Sequence, residues 1–322
     1  MGRPLRVEYP GAMYHITSRG NEKRAIFLED GDRANFLERL ADYHDRFQIL
    51  IHNYVLMDNH YHLILETPRG NLLKVMHGLN GGYTGYFNRK YGRVGHLFQG
   101  RYRGILVERE GYLLPLSRYV HLNPVRAGLV DYPEEYQWSS YRGFIGRGKK
   151  EKWVEFGGIL SAFGENQTHA KGEYRKYVED GLSQELQNPL ASLRGRLVLG
   201  GEKFIEKIKG ILGGKRISRE IPEHRRFVEA PLPEEIIRAV VKAFGVKARE
   251  IQNKRSRSNT ARKVAIYLVQ RYSGVGNVEV GKLFGGIHYS AVSKASEKLK
   301  EEMTSDRKLA NLVDELTSQF KT

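Results

Sequence analysis

Cysteine is absent from all 322 residues. That excludes disulfides and thiolate metal sites, zinc fingers included, and the expected compartment is a reducing one. No stretch approaches the roughly 18 consecutive apolar residues of a membrane span. The opening MGRPLRVEYPGAMYHI has no apolar signal-peptide core. The expectation is a cytoplasmic protein with no membrane partner. No GxxxxGK[ST] phosphate loop occurs, so nothing points to nucleotide-driven chemistry. Acidic residues are scarce beside basic ones, 37 Asp and Glu against 53 Lys and Arg, a net charge of +16. Such an excess argues for a polyanionic partner, and nucleic acid is the usual one. What is present is ordinary for a folded protein. Hydrophobic residues make up 40%, enough to bury a core, and the length predicts two or three domains.

Along the chain, AMYHITS (12–18), ILIHNYVL (49–56), HYHLILET (60–67) and residues 103–109 read as strands. Residues 31–46, 71–90 and 111–123 read as helices, the first with Phe36, Leu37, Leu40 and Tyr43 at helical spacing. Strands separated by helices without regular βαβ spacing predict an α+β domain over residues 1–145. From 146 to 230 glycines and charges interrupt the pattern, and a helical extension or connector is expected. Residues 231–322 read as all-helical, opening with PLPEEIIRAVVKAFG, where proline and glutamates suit a helix start.

Chemistry concentrates first at His60-Tyr61-His62. Residues i and i+2 of a strand share a face, so two imidazoles stand about 7 Å apart along it and can converge on one cation. A pair of structural histidines would give the same pattern, although burying two polar rings in an apolar strand is costly without partners. The second element is GYLLPLSRYVHLNPVRAGLV, residues 111–130. Tyr119 and Asn123 are four apart and share a helix face. Pro124 disfavours helix at the residue before it, so the helix should stop near Asn123, where an amide can meet a metal. A core tyrosine followed by an asparagine cap fits the spacing equally well.

MYHITSRGN, MDNHYHLILETP, GHLFQGRYRG and RYVHLNPVRAGLV, in this order, resemble the REP-associated tyrosine transposases, relatives of single-tyrosine insertion-sequence transposases within the HUH nuclease group. WSSYRGF, YRKYVEDGL and GRLVLGGEKFIEKIKGIL extend the resemblance over about residues 1–227. It implies a ferredoxin-like HUH nuclease domain, with His60 and His62 as metal ligands, Tyr119 as nucleophile and Asn123 as third ligand. The cation implied is Mg2+, and two imidazoles with an amide also suit Mn2+. The implied reaction is cleavage and rejoining of single-stranded DNA at REP-type hairpins through a 5′-phosphotyrosine. Pro115 departs from a simple helix around Tyr119, since proline inside a helix costs about 3 kcal/mol unless it lies in the first turn.

Residues 86–103, YFNRKYGRVGHLFQGRYR, interleave Arg89, Lys90, Arg93, Arg101 and Arg103 with five aromatics and hold no acidic residue. Cations on phosphates and aromatic faces on unpaired bases would make this a strand-binding segment. A solvated helix end and loop is the plainer alternative. Arg126 suits either a phosphate contact or a helix cap.

The segment from EEIIRAVVKAFG through VGKLFGGIHYSAVSKASEKL resembles the DNA-binding domain of the bacterial replication initiator DnaA, a helix-turn-helix of the Trp-repressor type. Residues 247–300 hold twelve Lys or Arg and three acidic residues, the asymmetry a duplex-binding face needs. His288, Tyr289 and Ser290 fall at the expected start of the recognition helix, with Lys294 one turn on, where side chains reach the major groove. Lys254, Arg255 and Arg257 match that family's basic loop. The expected partners are therefore single-stranded DNA hairpins and duplex DNA. A homodimer, with Tyr119 serving a partner's metal site, stays open. Against the enzyme stands a non-catalytic DNA- or RNA-hairpin-binding regulator that keeps the fold.

Overall fold

In AMYHITSR, β-branched and aromatic residues follow one another closely, and Ala12–Arg19 forms strand β1 with side chains buried on both faces. The computed structural model describes residues 7–148, 150–183, 189–193, 197–213, 231–253 and 259–320. Two compact units divide at Pro189 and Leu190.

In the first unit β1 is followed by α1 (Asp30–Phe47), β2 (Leu50–Met57), β3 (His60–Thr67), α2 (Leu72–Lys90), β4 (Arg103–Val107) and α3 (Arg109–His121). The strands lie in the order β2-β3-β1-β4, every pairing antiparallel. Two β-α-β halves interleaved in this way are the ferredoxin-like arrangement expected of an α+β domain. Register decides the faces. Tyr14, Ile16, Tyr61 and Leu63 point toward α1 and α2, where Phe36 packs on Tyr61 with ring centroids 4.8 Å apart. His15, Thr17 and Arg19 point the other way with His60 and His62, because Thr17 pairs with His62 and Arg19 with His60.

The outer edge of β2 does not stay open. Main chain at residues 138–140 and 154–155 covers it, with Leu56 N donating to Trp138 O at 2.9 Å and Glu155 N to Ile51 O at 2.7 Å. This removes an exposed edge that would otherwise template aggregation. The helix α7 (Gln167–Ser183), preceded by the single turns α4 (Asn123–Arg126), α5 (Tyr141–Phe144) and α6 (Gly157–Leu160), belongs to this same unit.

The second unit contains β5 (Val198–Leu199), α8 (Glu202–Gly213), then α9 (Pro233–Phe244), α10 (Ala248–Gln252), α11 (Thr260–Tyr272), α12 (Asn277–Leu283), α13 (Tyr289–Ser305) and α14 (Arg307–Ser318). Pro233 sits in the first turn of α9, Glu235 accepts from Leu232 N at 2.7 Å, and Gly245 ends the helix at φ 61°. Ile236, Val240, Val264, Leu268, Phe284, Val292 and Leu299 form one apolar core among α9 to α14. The helix-turn-helix is α12, the turn 284–288 and α13. A Cβ at Gly281 would lie 2.2 Å from Ile287 O, so only glycine lets the turn close on α12. Among the described residues no helix is long and apolar enough to cross a membrane.

Candidate active site

Strand register brings His60 and His62 onto one face with ring centroids 5.0 Å apart. The ring of Tyr119 stands edge-on to His62 at 6.2 Å, so α3 delivers the phenol to the histidine face of the sheet. The kink expected from Pro115 lies earlier. Glu110 and Gly111 leave helical geometry, Gly111 at φ 83°, so the continuous helix begins after Gly111 and Pro115 falls in its opening turn. At the other end α3 stops at His121, two residues before the expected position. Pro124 has become an early residue of the turn Asn123–Arg126, where its missing amide costs nothing. Asn123 Nδ2 donates to Tyr119 O at 2.8 Å and to Val120 O at 3.4 Å. Its side chain thus satisfies carbonyls at the end of α3 through Nδ2, so only Oδ1 could meet a cation.

A third histidine joins the pair. His15 is fully buried on β1, stacks on His62 with centroids 5.1 Å apart, and brings its Nε2 to 2.9 Å from His62 Nδ1. Its ring meets Tyr119 edge-on at 6.4 Å. His60 Nδ1 is 2.7 Å from Asn59 Oδ1. Sequence reading passed over His15 and Asn59. The clue for His15 was its place two residues from Thr17 on a strand that must lie beside the histidine strand.

Electrostatics keep these rings neutral. Burial, with Arg103 nearby, pushes His15 down to about 3. Burial and Arg19 push His60 to about 4. Burial and the two neighbouring rings hold His62 well below the usual histidine value. Neutral imidazole is the form that ligates a metal. Burial raises the Tyr119 phenol above 10, opposed by Arg126 and Arg103. The Arg126 guanidinium lies 5.0 Å from the Tyr119 ring centroid, so its described contact is with the nucleophile candidate.

The donor set fits a divalent cation. Both histidines have Nδ1 occupied by a neighbour, which leaves Nε2 of each to face a metal. Among the described residues no group of three or more His, Asp or Glu is arranged to hold a metal ion. A cation held by these imidazoles would need an amide, water or substrate phosphate besides them, which is how Mg2+ is commonly held.

The basic segment is only partly available. Arg89, Arg101 and Arg103 are exposed. The Lys90 ammonium is tied to Asp32 Oδ1 at 2.7 Å and Glu29 Oε1 at 2.5 Å. Burial alone would raise the Asp32 pKa, but Lys90, two backbone amides and Tyr91 hold it below the usual carboxylate value. Arg93 lies over the Phe87 ring at 5.5 Å. The expectation of five base-stacking aromatics needs correction. Phe87, Phe98 and Tyr102 are buried in the core, and the Tyr86 and Tyr91 hydroxyls donate to Asp32. Main-chain bonds from Asn21 N to Leu97 O and from Gln99 N to Arg19 O draw the segment onto the end of β1; that turns its apolar rings inward.

In the second unit His288 is the N-cap of α13, its Nδ1 2.8 Å from Ser290 Oγ and its ring 4.2 Å from that of Tyr289. His288, Tyr289, Ser290 and Lys294 are all exposed at the start of this helix. Lys254, Arg255 and Arg257 lie outside the described residues.

The fold and site define a mixed α/β domain with a histidine–tyrosine centre, joined to a helical DNA-reading domain. Residues 8–123 match the family described as "Transposase IS200 like", and residues 233–299 match "Bacterial dnaA protein helix-turn-helix". The chain thus carries an IS200-like transposase domain and a DnaA-type helix-turn-helix domain. The chain is 39% identical over 62 residues to the chromosomal replication initiator protein DnaA of Leifsonia xyli subsp. xyli, covering 19% of this chain and 13% of that protein. The Thermus thermophilus DnaA is 35% identical over 83 residues, 25% of this chain and 19% of that protein. The Picosynechococcus DnaA is 26% identical over 90 residues, covering 27% and 20%. The chain spans about a fifth of the length of the curated relatives it matches. A solved structure of a REP-associated tyrosine transposase bound to a REP hairpin is similar over 48% of this chain and 98% of its own, with 16% identity and a TM-score of 0.40.

Proposed function

We propose that the first unit is a metal-assisted single-stranded DNA endonuclease and strand transferase, and that the second recruits it to duplex DNA. The carrying observation is the meeting of Tyr119 with His62, ring to ring at 6.2 Å, inside a domain of the IS200-like transposase family. The hairpin substrate of REP type rests on the HYH and YVHLNPVRAG motifs. Strand processing is assigned to residues 1–145 and duplex reading to 231–322, with 146–230 as a helical extension or connector.

His60 and His62 through Nε2, and Asn123 through Oδ1, would hold a divalent cation, Mg2+ or Mn2+. When bound, that ion supplies Lewis-acid neutralisation and orientation of the scissile phosphate. The chain's own groups supply the rest. Tyr119 Oη attacks phosphorus, an Oη–P bond forms, the P–O3′ bond breaks, and the 3′ oxygen leaves to become a free hydroxyl. Arg126 and Arg103 favour the phenolate that burial disfavours. Reversal by another 3′-hydroxyl reseals a strand and releases Tyr119, so no nucleotide cofactor is required. Arg89, Arg93, Arg101 and Arg103 would neutralise strand phosphates. Lys90 would join them only by giving up its carboxylates. His288, Tyr289, Ser290 and Lys294 would face the major groove, with Lys254, Arg255 and Arg257 along the duplex.

The test is incubation of the full chain with 3′-labelled single-stranded hairpins and Mg2+ or Mn2+. A covalent adduct that survives denaturation and is missing in Tyr119→Phe is expected. An adduct that persists in Tyr119→Phe would remove Tyr119 as the nucleophile; hairpin binding with no cleavage in either ion would leave the regulator reading in its place.

A further inference from the structure

We infer that His15 is a positioning residue for the cation site: its Nε2 accepts the Nδ1 proton of His62 and holds His62 with a bare Nε2 toward the metal. The inference rests on the metal-assisted reading above and adds a residue to it. Three observations carry it. The two nitrogens are 2.9 Å apart, although the residues are 47 apart in sequence. The rings lie nearly parallel, 12° between their planes. His15 is wholly buried, and its Nδ1 has no hydrogen-bond partner among the described residues.

That last feature argues against a purely structural role. A buried polar atom without a partner costs about 1–3 kcal/mol. An apolar side chain would fill the same place without that cost. The histidine is explained if its other nitrogen is needed. Were the proton to run the opposite way, from His15 to His62, then His62 Nε2 would carry its own proton and could not ligate. Asn59 Oδ1 stands in the same relation to His60 Nδ1 at 2.7 Å. The two imidazoles therefore have matching supports from different elements, β1 and the β2–β3 turn. His15 itself has no nitrogen to spare for the metal on the His62 side, because Nε2 is engaged there.

The experiment is a Mn2+ titration of the full chain, with free Mn2+ read by electron paramagnetic resonance, for wild type, His62→Ala, His15→Phe and His15→Gln. His15→Phe keeps the ring volume and removes the acceptor. It should weaken Mn2+ binding about tenfold to a hundredfold, the usual effect of losing such a support. His15→Gln offers Oε1 to the same proton and should recover most of that loss. If wild type binds no Mn2+, or His62→Ala binds as wild type does, the metal-assisted reading itself fails. If His62→Ala loses binding while His15→Phe keeps it, only the role of His15 is overturned. Equal loss in His15→Phe and His15→Gln also overturns it, since packing would then be the cause. Should His15→Phe fail to fold, the 15N shifts of His62 in Mg2+-loaded wild type decide. A proton on Nδ1 with Nε2 unprotonated is expected; a proton on Nε2 refutes the inference.

Discussion

In the first unit the buried polar side chains include His15, His62 and His121, neutral rings that burial holds far below their usual pKa. In the second they include Arg262 and Lys263, cationic side chains hydrogen-bonded to neighbouring helices and the turn between them. Arg262 donates to Ile251 O and Phe284 O, tying α10 and the helix-turn-helix turn to α11. Lys263 reaches both oxygens of Glu302 on α13. Histidines buried without charge can trade a proton or a ligand; a buried arginine can only hold. The contrast suits a reaction site in one unit and a rigid reading head in the other.

The largest effect that would break this contrast is at Tyr119. No hydrogen bond ties its hydroxyl among the described residues, so Tyr119→Phe should leave the melting temperature unchanged. Cleavage of a labelled hairpin should fall below detection while duplex retention in a gel shift stays intact. Loss of both together would mean that the units do not divide the work.

Acid should separate the units next. Between pH 6.5 and about 3 the unfolded chain protonates His15 and His121 while the native fold does not. Stability of the first unit is therefore complete above pH 6.5 and falls as pH drops through that window. One unit below 6.5 each such ring costs about 1.4 kcal/mol, so the two rings together cost roughly 3 kcal/mol. Both tryptophans, Trp138 and Trp153, lie in the first unit, so fluorescence reports it alone. The second unit's sole histidine beyond residue 230 is the exposed His288. Urea midpoints by tryptophan fluorescence in metal-free buffer should fall between pH 7.5 and 5.5. A flat profile would deny that these rings are buried neutral.

Arg262→Met reverses the selectivity. Two carbonyls lose a charged donor, a cost of about 3 kcal/mol, confined to the second unit. The helical signal by circular dichroism should acquire an early unfolding phase that tryptophan fluorescence does not follow. A smaller effect is expected at the support of α3. Tyr174 Oη lies 2.5 Å from Ser117 Oγ and 2.7 Å from His121 Nδ1, and Ser117 in turn accepts from Asn53 at 2.8 Å. These residues flank Tyr119 by two positions on either side. Tyr174→Phe should cost about 1–2 kcal/mol by fluorescence-detected unfolding and slow cleavage without changing hairpin affinity.

Much of this is legible in the amino-acid sequence alone. Period-two alternation put His60 and His62 on one face, and the spacing of four put Asn123 one turn from Tyr119. Local patterns of this kind survive into the fold because they depend only on backbone periodicity. His15 was illegible for the opposite reason: its bond to His62 depends on the β1–β3 register, which a single strand does not announce. The aromatics of residues 86–103 misled because composition says nothing about facing. Alternating with cations, Phe87, Phe98 and Tyr102 look like a base-stacking platform, yet Tyr61 and Tyr83 receive Phe98 in the core at 6.1 and 6.4 Å. The layer of residues 138–183 was also obscure, since its glycines and charges hide Tyr174 and its neighbours behind a loop-like composition.

The finest discrimination concerns what kind of contact each exposed residue of α13 makes. Lys294 is a flexible point charge and suits a phosphate. The His288–Tyr289 pair is held by ring contact and by the bond to Ser290, which suits directed contact with base edges. Lys294→Ala should therefore weaken duplex binding alike on all sequences, and the slope of log affinity against log salt should shrink by about 0.9. Tyr289→Ala should leave that slope alone and change which duplexes are preferred. Filter binding of random and selected duplexes at four salt concentrations measures both quantities. A sequence-dependent loss in Lys294→Ala with an unchanged slope would move the lysine from the backbone to the bases and require a different docking of α13.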